Sequence, residues 1–206
     1  MNRVGAVILA AGLSRRMGEP KLILPWGAGR TVLSQVVNVL HEAGASPIVV
    51  VTGGAHPELS AALQGHPAVC VTNPLYENES MLTSLQVGLA ALPADVDACL
   101  VALGDQPQIE LRTVIGLMEA YQKKRPLLLV PSYQMRRGHP WVIARGLWDE
   151  IAHMPSSATM RSFLAAHAQQ ILYFEADTDS ILRDVDTRED YAREKPQSFD
   201  NGETSE

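Results

Sequence analysis

The residues best suited to chemistry lie in a loop near the start of the chain, directly after its first apolar run. The run spans residues 4–11, and Gly12, Arg16, Gly18 and Lys21 follow it. Small residues allow backbone N–H groups to approach phosphate oxygens closely, and arginine and lysine neutralise charge that amides alone cannot. The loop therefore suits a triphosphate. Glycine-containing turns of this kind also occur in proteins that bind nothing, so spacing alone leaves both interpretations open.

The glycine spacing excludes the two best-known nucleotide-binding motifs. Gly5, Gly12 and Gly18 do not form the dinucleotide pattern G-x-G-x-x-G. Lys21 does not directly follow a glycine, so the P-loop order G-x-x-x-x-G-K-[ST] is missing as well. An NAD(P)-dependent oxidoreductase on a similar sheet stays an alternative, but it would lack its usual fingerprint here.

Carboxylates at two places in the chain could hold a metal ion. Asp105 comes soon after the apolar run at 98–103, while Asp184 and Asp186 lie near the C-terminus, just before Thr187. Mg²⁺ is typically held by one or two carboxylates together with phosphate and water oxygens. Asp105 alone could equally belong to an ordinary turn or helix cap. The later segment alone predicts a strand end followed by a helix capped by Thr187.

Alternating strand-like and helix-like segments must position these residues. This alternation predicts an α/β fold with a mainly parallel sheet and helices on both faces. Ligands in such sheets bind beyond the carboxyl ends of the strands, where the first loop and Asp105 both lie. The predicted strands are at 4–10, 48–52, 68–72, 98–103, 127–131 and near 170–175, and the predicted helices follow Thr31, begin near Met81 and Leu111, and cover 145–153 and 159–168.

Composition limits the classes of function that remain. The chain has 206 residues, of which 46% are hydrophobic and 19% charged, which suits one soluble domain. A net charge of −6 gives no basic footprint for nucleic acid. The first apolar run is too short for a membrane span or a secretion signal, so we expect no membrane partner and a cytoplasmic location. We expect one domain over 1–194 and a flexible tail over 195–206.

Three motifs resemble those of a known family. Leu9-Ala10-Ala11-Gly12-x-Ser14-x-Arg16-Met17-Gly18-x-x-Lys21 resembles the signature that opens the nucleotidyltransferases of the molybdenum cofactor group. Gly104-Asp105-Gln106-Pro107 is similar to their G-D-Q-P motif, and Asp184-Val185-Asp186-Thr187 to their D-[IV]-D-T motif. The resemblance covers roughly residues 4–192. It implies a single-domain, Rossmann-like three-layer α/β sandwich with a mainly parallel twisted sheet, of the nucleotide-diphospho-sugar transferase type.

The resemblance also implies roles for individual residues and a Mg²⁺ cofactor. Asp105 and Asp186 would hold the metal, with Asp184 as the alternative to Asp186. The implied catalytic residues are Arg16, Lys21 and Asp105. The implied nucleotide-binding residues are Leu9, Ala10, Ala11, Gly12, Asn73 and Ser84. The implied acceptor-binding residues are Arg137, His139 and Arg161.

The implied reaction transfers a nucleotide from a triphosphate to an acceptor phosphate and releases pyrophosphate. Ala11 in L-A-A-G resembles the cytidylyl branch of the family, so the implied partners are CTP and molybdopterin or its molybdenum form, with a molybdoenzyme as a further candidate that receives the product. Guanylyl transfer, nucleotidyl transfer to a sugar phosphate, and non-catalytic delivery of molybdopterin stay open as alternatives.

Overall fold

A sheet of eight strands forms the centre of the fold in the computed structural model, which describes residues 3–12, 17–18, 20–78 and 80–196. Two further strands, β2 and β3, pair separately. The strands are β1 (Val4–Ala10), β2 (Pro25–Gly27), β3 (Arg30–Thr31), β4 (Ile48–Thr52), β5 (Val69–Thr72), β6 (Ala98–Leu103), β7 (Leu128–Tyr133), β8 (Arg136–Arg137), β9 (Trp141–Ala144) and β10 (Ile171–Glu175). The helices are α1 (Val32–Glu42), α2 (His56–Ala62), α3 (Met81–Ala91), α4 (Leu111–Lys124), α5 (Trp148–His153), α6 (Met160–Ala166) and α7 (Arg188–Glu194).

The sheet is mixed but mostly parallel, as the alternation of strands and helices predicts. Its order is β10-β7-β9-β6-β1-β4-β5, and β8 pairs with β7. Strand β1 runs parallel to both β4 and β6, and β7 runs parallel to β10. Strand β9 is antiparallel to both of its neighbours, β6 and β7. The parallel centre places the ends of β1 and β6 at the same edge.

Helices cover both faces of the sheet and bury two separate apolar clusters. One cluster includes Leu33 of α1 and Leu117 of α4, and the other includes Leu85 of α3, Ile151 of α5 and Phe163 of α6. Each of these side chains is at most 2% exposed, and burying one stabilises the fold by about 1.5–3 kcal/mol. The expectation of a three-layer sandwich is therefore confirmed.

Hydroxyl-bearing residues determine where helices α1, α6 and α7 begin. The Thr31 side chain accepts a hydrogen bond from the Ser34 backbone N–H, and the Ser34 side chain accepts one from the Thr31 backbone N–H. Such a capping box satisfies N–H groups that have no partner within the first turn. Thr159 and Thr187 form the same arrangement at α6 and α7, so the predicted cap at Thr187 is confirmed.

The predicted strand end before Asp184 is wrong. A 3-10 turn over Asp179–Leu182 comes first, and no regular element covers residues 183–187. The chain leaves the sheet here because it crosses to the end of β6, where the Val185 backbone N–H donates to the Asp105 carbonyl oxygen at 2.9 Å. The helix predicted at 145–153 is also divided, into a 3-10 turn over Arg145–Leu147 and then α5.

The described residues bear on two further expectations, the flexible tail and the lack of a membrane span. Of the predicted tail, residues 197–206 lie outside the described residues, so its flexibility stays a prediction. Within the described ranges, no helix is both long and apolar enough to cross a membrane.

Candidate active site

One lysine and two aspartates meet at the edge of the sheet where β1 and β6 end. Nζ of Lys21 donates to Oδ2 of Asp105 at 2.7 Å and to Oδ1 of Asp186 at 2.8 Å. Lys21 begins a 3-10 turn after the first loop, Asp105 follows β6, and Asp186 precedes α7. Three residues far apart in sequence, all predicted for the site, thus lie in direct contact.

Backbone contacts explain why these three residues converge. Because β1 and β6 are parallel neighbours, their carboxyl ends share one edge. The Gly104 N–H extends the pairing by donating to the Leu9 carbonyl oxygen at 3.0 Å. A Cβ at Gly104 would lie 3.2 Å from that oxygen, so glycine allows this close approach. The bond from Val185 to Asp105 then brings the second carboxylate to the same edge.

The three charged groups are electrostatically complementary. Burial acts to lower the pKa of Lys21, but the charges and hydrogen bonds of Asp105 and Asp186 outweigh it and raise the pKa above its usual value. The lysine is therefore charged across the whole physiological pH range. Its side chain is only 12% exposed, so solvent screens the pair less than it screens surface ion pairs.

A third carboxylate, Asp184, lies beside this cluster. Its Oδ1 accepts a hydrogen bond from Nε2 of the buried Gln106 at 2.7 Å. Although Asp184 is exposed as a residue, desolvation of its carboxylate raises the pKa, the Gln106 bond opposes this, and the charges of Asp105 and Asp186 add to the rise. Gln106 lies within the G-D-Q-P motif, but no local pattern predicts its partner, which is 78 residues away.

The donor set of Asp105 and Asp186 fits a magnesium ion that substrate phosphates would also bind. Asp105 and Asp186 each direct a carboxylate oxygen at one positive charge, that of Lys21. Mg²⁺ prefers oxygen ligands and often uses only one or two carboxylates beside phosphate oxygens. Among the described residues, no group of three or more His, Cys, Asp or Glu side chains is arranged to hold a metal by itself. The two aspartates therefore suit a shared site better than a closed protein site.

The first loop is described only at its two ends. Leu9 and Ala10 end β1, and Ala11 and Gly12 follow at the same edge of the sheet. The Ala11 carbonyl oxygen packs closely on Gly53, where an added Cβ would come within 2.8 Å. Arg16 lies outside the described residues, so its predicted role stays a prediction.

Asn73 and Ser84, both predicted to bind nucleotide, contact each other. Nδ2 of Asn73 donates to Oγ of Ser84 at 3.0 Å and lies 3.2 Å from Oγ1 of Thr83, and Oδ1 of Asn73 accepts from the Leu75 N–H at 2.9 Å. Both residues are buried. Their bonds fix the loop after β5 to the start of α3, which supports a positioning role; direct nucleotide contact stays a prediction.

A cavity of about 830 Å³ brings the three predicted acceptor residues together. Arg137, His139 and Arg161 all line it. Arg137 comes from β8, His139 lies just before β9, and Arg161 comes from the first turn of α6. Two arginines and several hydroxyl groups, among them Ser156, Ser157 and Thr159, give the cavity a polar wall that suits an acceptor with phosphate.

An uncharged histidine and a tryptophan form the inner part of this cavity. The rings of His139 and Trp141 stack with centroids 4.3 Å apart. Burial lowers the pKa of His139 to about 4, so the ring is neutral at physiological pH. Nε2 of His139 and Nε1 of Trp141 are buried without a hydrogen-bond partner in the described part of the chain. Sequence reasoning missed Trp141, although strand alternation places residues two apart on one face.

The turn Arg137-Gly138-His139-Pro140 packs against the segment that leads to Asp184 and Asp186. The His139 N–H donates to the Ile181 carbonyl oxygen at 3.1 Å. Gly138 packs so closely on the same Ile181 that a Cβ would clash with its backbone. Glycine is therefore required here for close approach. The acceptor cavity and the carboxylate cluster are thus joined through one short stretch of chain.

The fold and the site together define a class. The mainly parallel sheet has the first loop and the paired carboxylates at one edge. This arrangement, together with a cavity that two arginines line, is typical of a nucleotidyltransferase. The chain belongs to the family described as the MobA-like NTP transferase domain, which it matches over residues 6–171.

Two curated proteins resemble the chain over almost its whole length. Molybdenum cofactor cytidylyltransferase of Escherichia coli (strain K12) is 27% identical over 197 residues, covering 95% of this chain and 97% of that protein. Nicotine blue oxidoreductase of Paenarthrobacter nicotinovorans is 31% identical over 199 residues, covering 92% and 95%. The relatives therefore include proteins named for two different kinds of reaction.

Solved structures agree with the fold. The crystal structure of Rv0371c from Mycobacterium tuberculosis H37Rv has a TM-score of 0.80 and 28% identity, covering 94% of this chain and 97% of that one. A second structure of that protein, a complex with manganese, has a TM-score of 0.70 and 26% identity, covering 94% and 98%. The shared architecture confirms the expected α/β fold of the nucleotide-diphospho-sugar transferase type.

Proposed function

We propose that the protein is a Mg²⁺-dependent cytidylyltransferase that transfers CMP from CTP to the phosphate of the molybdenum cofactor. The single observation that carries this proposal is the meeting of Lys21 with Asp105 and Asp186 at the sheet edge. Such a cluster can neutralise a triphosphate and hold a metal beside it. The full-length similarity to molybdenum cofactor cytidylyltransferase supports the choice of acceptor.

The chemistry needs positioning and charge neutralisation more than it needs an acid or base. An oxygen of the acceptor phosphate forms a bond to the α-phosphorus of CTP, and the bond from that phosphorus to the β-phosphate bridging oxygen breaks. Pyrophosphate leaves with the electron pair of that bond. Lys21 neutralises the charge that grows on the departing group, and Arg137 and Arg161 hold the acceptor phosphate. Arg16 has the same neutralising role by resemblance.

Asp105 and Asp186 would hold the magnesium ion. When bound there, Mg²⁺ would supply charge neutralisation to the phosphate oxygens. Gln106 keeps Asp184 beside the pair through its 2.7 Å bond, so the cluster presents further negative charge toward a cation. The manganese complex of Rv0371c supports a divalent cation in a protein of this fold.

CTP is the proposed donor because Ala11 follows the cytidylyl form of the first motif. Molybdenum cofactor guanylyltransferases are also similar to parts of the chain, which makes GTP the competing donor. We further propose a cytoplasmic location and delivery of the product to a molybdoenzyme.

Pyrophosphate release tests the proposal directly. The purified protein is mixed with Mg²⁺, a molybdopterin form and one of CTP, GTP, ATP or UTP. We expect release with CTP that exceeds release with GTP and depends on both acceptor and metal. If GTP is the one nucleotide that gives release, the proposed activity becomes guanylyl transfer instead of cytidylyl transfer. No release with any nucleotide, alongside tight molybdopterin binding, would favour a non-catalytic carrier.

An oxidoreductase is the second candidate, because the relative with 31% identity over nearly the full length carries that name. The first loop lacks the dinucleotide glycine pattern, which weighs against this reading. An absorbance assay with NADH or NADPH and the same acceptors separates the two. Oxidation of either cofactor without pyrophosphate release would favour the second candidate.

A further inference from the structure

A lysine amino group occupies the point at which the two proposed metal-binding carboxylates converge. Nζ of Lys21 lies 2.7 Å from an oxygen of Asp105 and 2.8 Å from an oxygen of Asp186. Mg²⁺ bound between the two carboxylates, at about 2.0–2.1 Å from their oxygens, would compete with this amino group for the same space. We infer that Lys21 is a built-in competitor of the metal, so that a divalent cation binds this site tightly only together with a nucleoside triphosphate.

Displacing Lys21 without a substitute partner is unfavourable. Its side chain is only 12% exposed, and an ammonium group that loses both carboxylates in a partly buried place keeps little of its solvation. A divalent cation that enters beside the lysine instead meets a like charge at short range. Either route weakens the binding of free metal to the protein alone.

A triphosphate removes this obstacle. Its oxygens offer the ammonium group new acceptors at the same edge of the sheet, and the long flexible stem of a lysine can reach them. The carboxylates are then released to the cation, which the phosphates help to bind. This inference rests on the proposed function only in requiring that the site takes a nucleoside triphosphate.

Manganese binding to the intact protein without nucleotide provides the test, with free Mn²⁺ counted by electron paramagnetic resonance. We expect Lys21→Met to bind Mn²⁺ at least tenfold more tightly than the original protein. The matched control is Lys124→Met, which removes one positive charge from the exposed end of α4 and should leave Mn²⁺ binding unchanged. The double variant Lys21→Met with Asp105→Asn should lose the gain.

A second measurement uses the unsubstituted protein. With CTP or GTP present, and after subtraction of the Mn²⁺ that the nucleotide binds alone, its affinity for Mn²⁺ should rise at least tenfold. A folded Lys21→Met protein that binds Mn²⁺ no better than the original would overturn the inference. So would equal Mn²⁺ affinity of the unsubstituted protein with and without nucleotide, which decides the matter even if the variant does not fold.

These outcomes are separate from those of the proposed function. If Lys21→Met gains Mn²⁺ affinity but the unsubstituted protein transfers no nucleotide, only the proposed reaction is contradicted. A protein that transfers CMP without any such gain would contradict only the role of Lys21 as competitor.

Discussion

The carboxylate cluster and the acceptor cavity are built from different kinds of polar group. On the carboxylate side, Lys21 pairs with Asp105 and Asp186 at 2.7 and 2.8 Å. In the acceptor cavity, the inner groups are the neutral ring of His139 and the indole of Trp141, whose buried nitrogens have no hydrogen-bond partner within the described ranges. The carboxylate cluster is organised by opposite charges, whereas the inner end of the acceptor cavity, beyond Arg137 and Arg161, offers directional, uncharged groups.

The difference indicates where generality and selectivity reside. Charge neutralisation serves any nucleoside triphosphate, because every one carries the same phosphates. Buried uncharged groups discriminate strongly, since a ligand that fails to pair with them leaves them unsatisfied. We therefore expect acceptor choice to depend on His139 and Trp141, while turnover of every substrate depends on the charged cluster.

The largest expected effect is that of a substitution in the carboxylate cluster. Asp105→Asn keeps the shape of the side chain but removes a charge that would hold the metal, so turnover should fall by about three orders of magnitude. Pyrophosphate release under saturating nucleotide, acceptor and Mg²⁺ measures it. Asp149→Asn, on the exposed surface of α5, is the control. Near-normal turnover would remove Asp105 from the site.

His139→Gln tests whether the ring of His139 is uncharged, through the stability of the protein as a function of pH. Burial lowers the pKa of His139 from 6.5 to about 4, so unfolding takes up a proton and stability is lost as the pH falls between those values. One pKa unit corresponds to about 1.4 kcal/mol, which makes the loss about 3 kcal/mol. Glutamine has no proton to gain.

Urea denaturation of both proteins at pH 6.5 and at pH 4 measures the prediction. The variant should gain about 3 kcal/mol relative to the original protein over this range. His153→Gln, on the exposed surface of α5, should show no such relative gain. Parallel pH profiles for His139→Gln and the original protein would mean that His139 is not held neutral.

The smallest expected effect is that of Trp141→Phe, on the acceptor cavity. It keeps an aromatic ring against His139 but removes Nε1, so the KM for the acceptor should rise about tenfold, as expected for one lost hydrogen bond, while the KM for the nucleotide stays the same. Trp148→Phe is the matched control, because its Nε1 already donates to the Ile143 carbonyl oxygen at 3.1 Å. That change should lower stability and leave both KM values alone. An unchanged acceptor KM in Trp141→Phe would contradict the assigned role.

Local patterns predicted strands β1, β4, β5, β6, β7 and β10 and the cap at Thr187, because apolar runs and caps act over a few residues. They did not predict β2, β3, β8 and β9. They also placed Lys21 and Asp105 at one edge, since parallel neighbouring strands must end together. The contact with Asp186 could not be derived in this way, because it joins residues 165 apart and depends on a crossing that no local pattern encodes. Trp141 was missed for a related reason: a short apolar run at 141–143 does not show which ring faces a cavity.

The span of that contact has a consequence for the making of the protein. Lys21 and Asp105 are joined across 84 residues, and Lys21 and Asp186 across 165. During synthesis the N-terminal part of the chain emerges first, so the charged cluster can close only after residue 186 has left the ribosome. A chain that stopped before Asp186 would carry Lys21, Asp105 and every strand of the sheet, yet lack one of the two carboxylates proposed to hold the cation. If the proposed site is correct, nucleotide-dependent metal binding therefore reports that synthesis has passed Asp186.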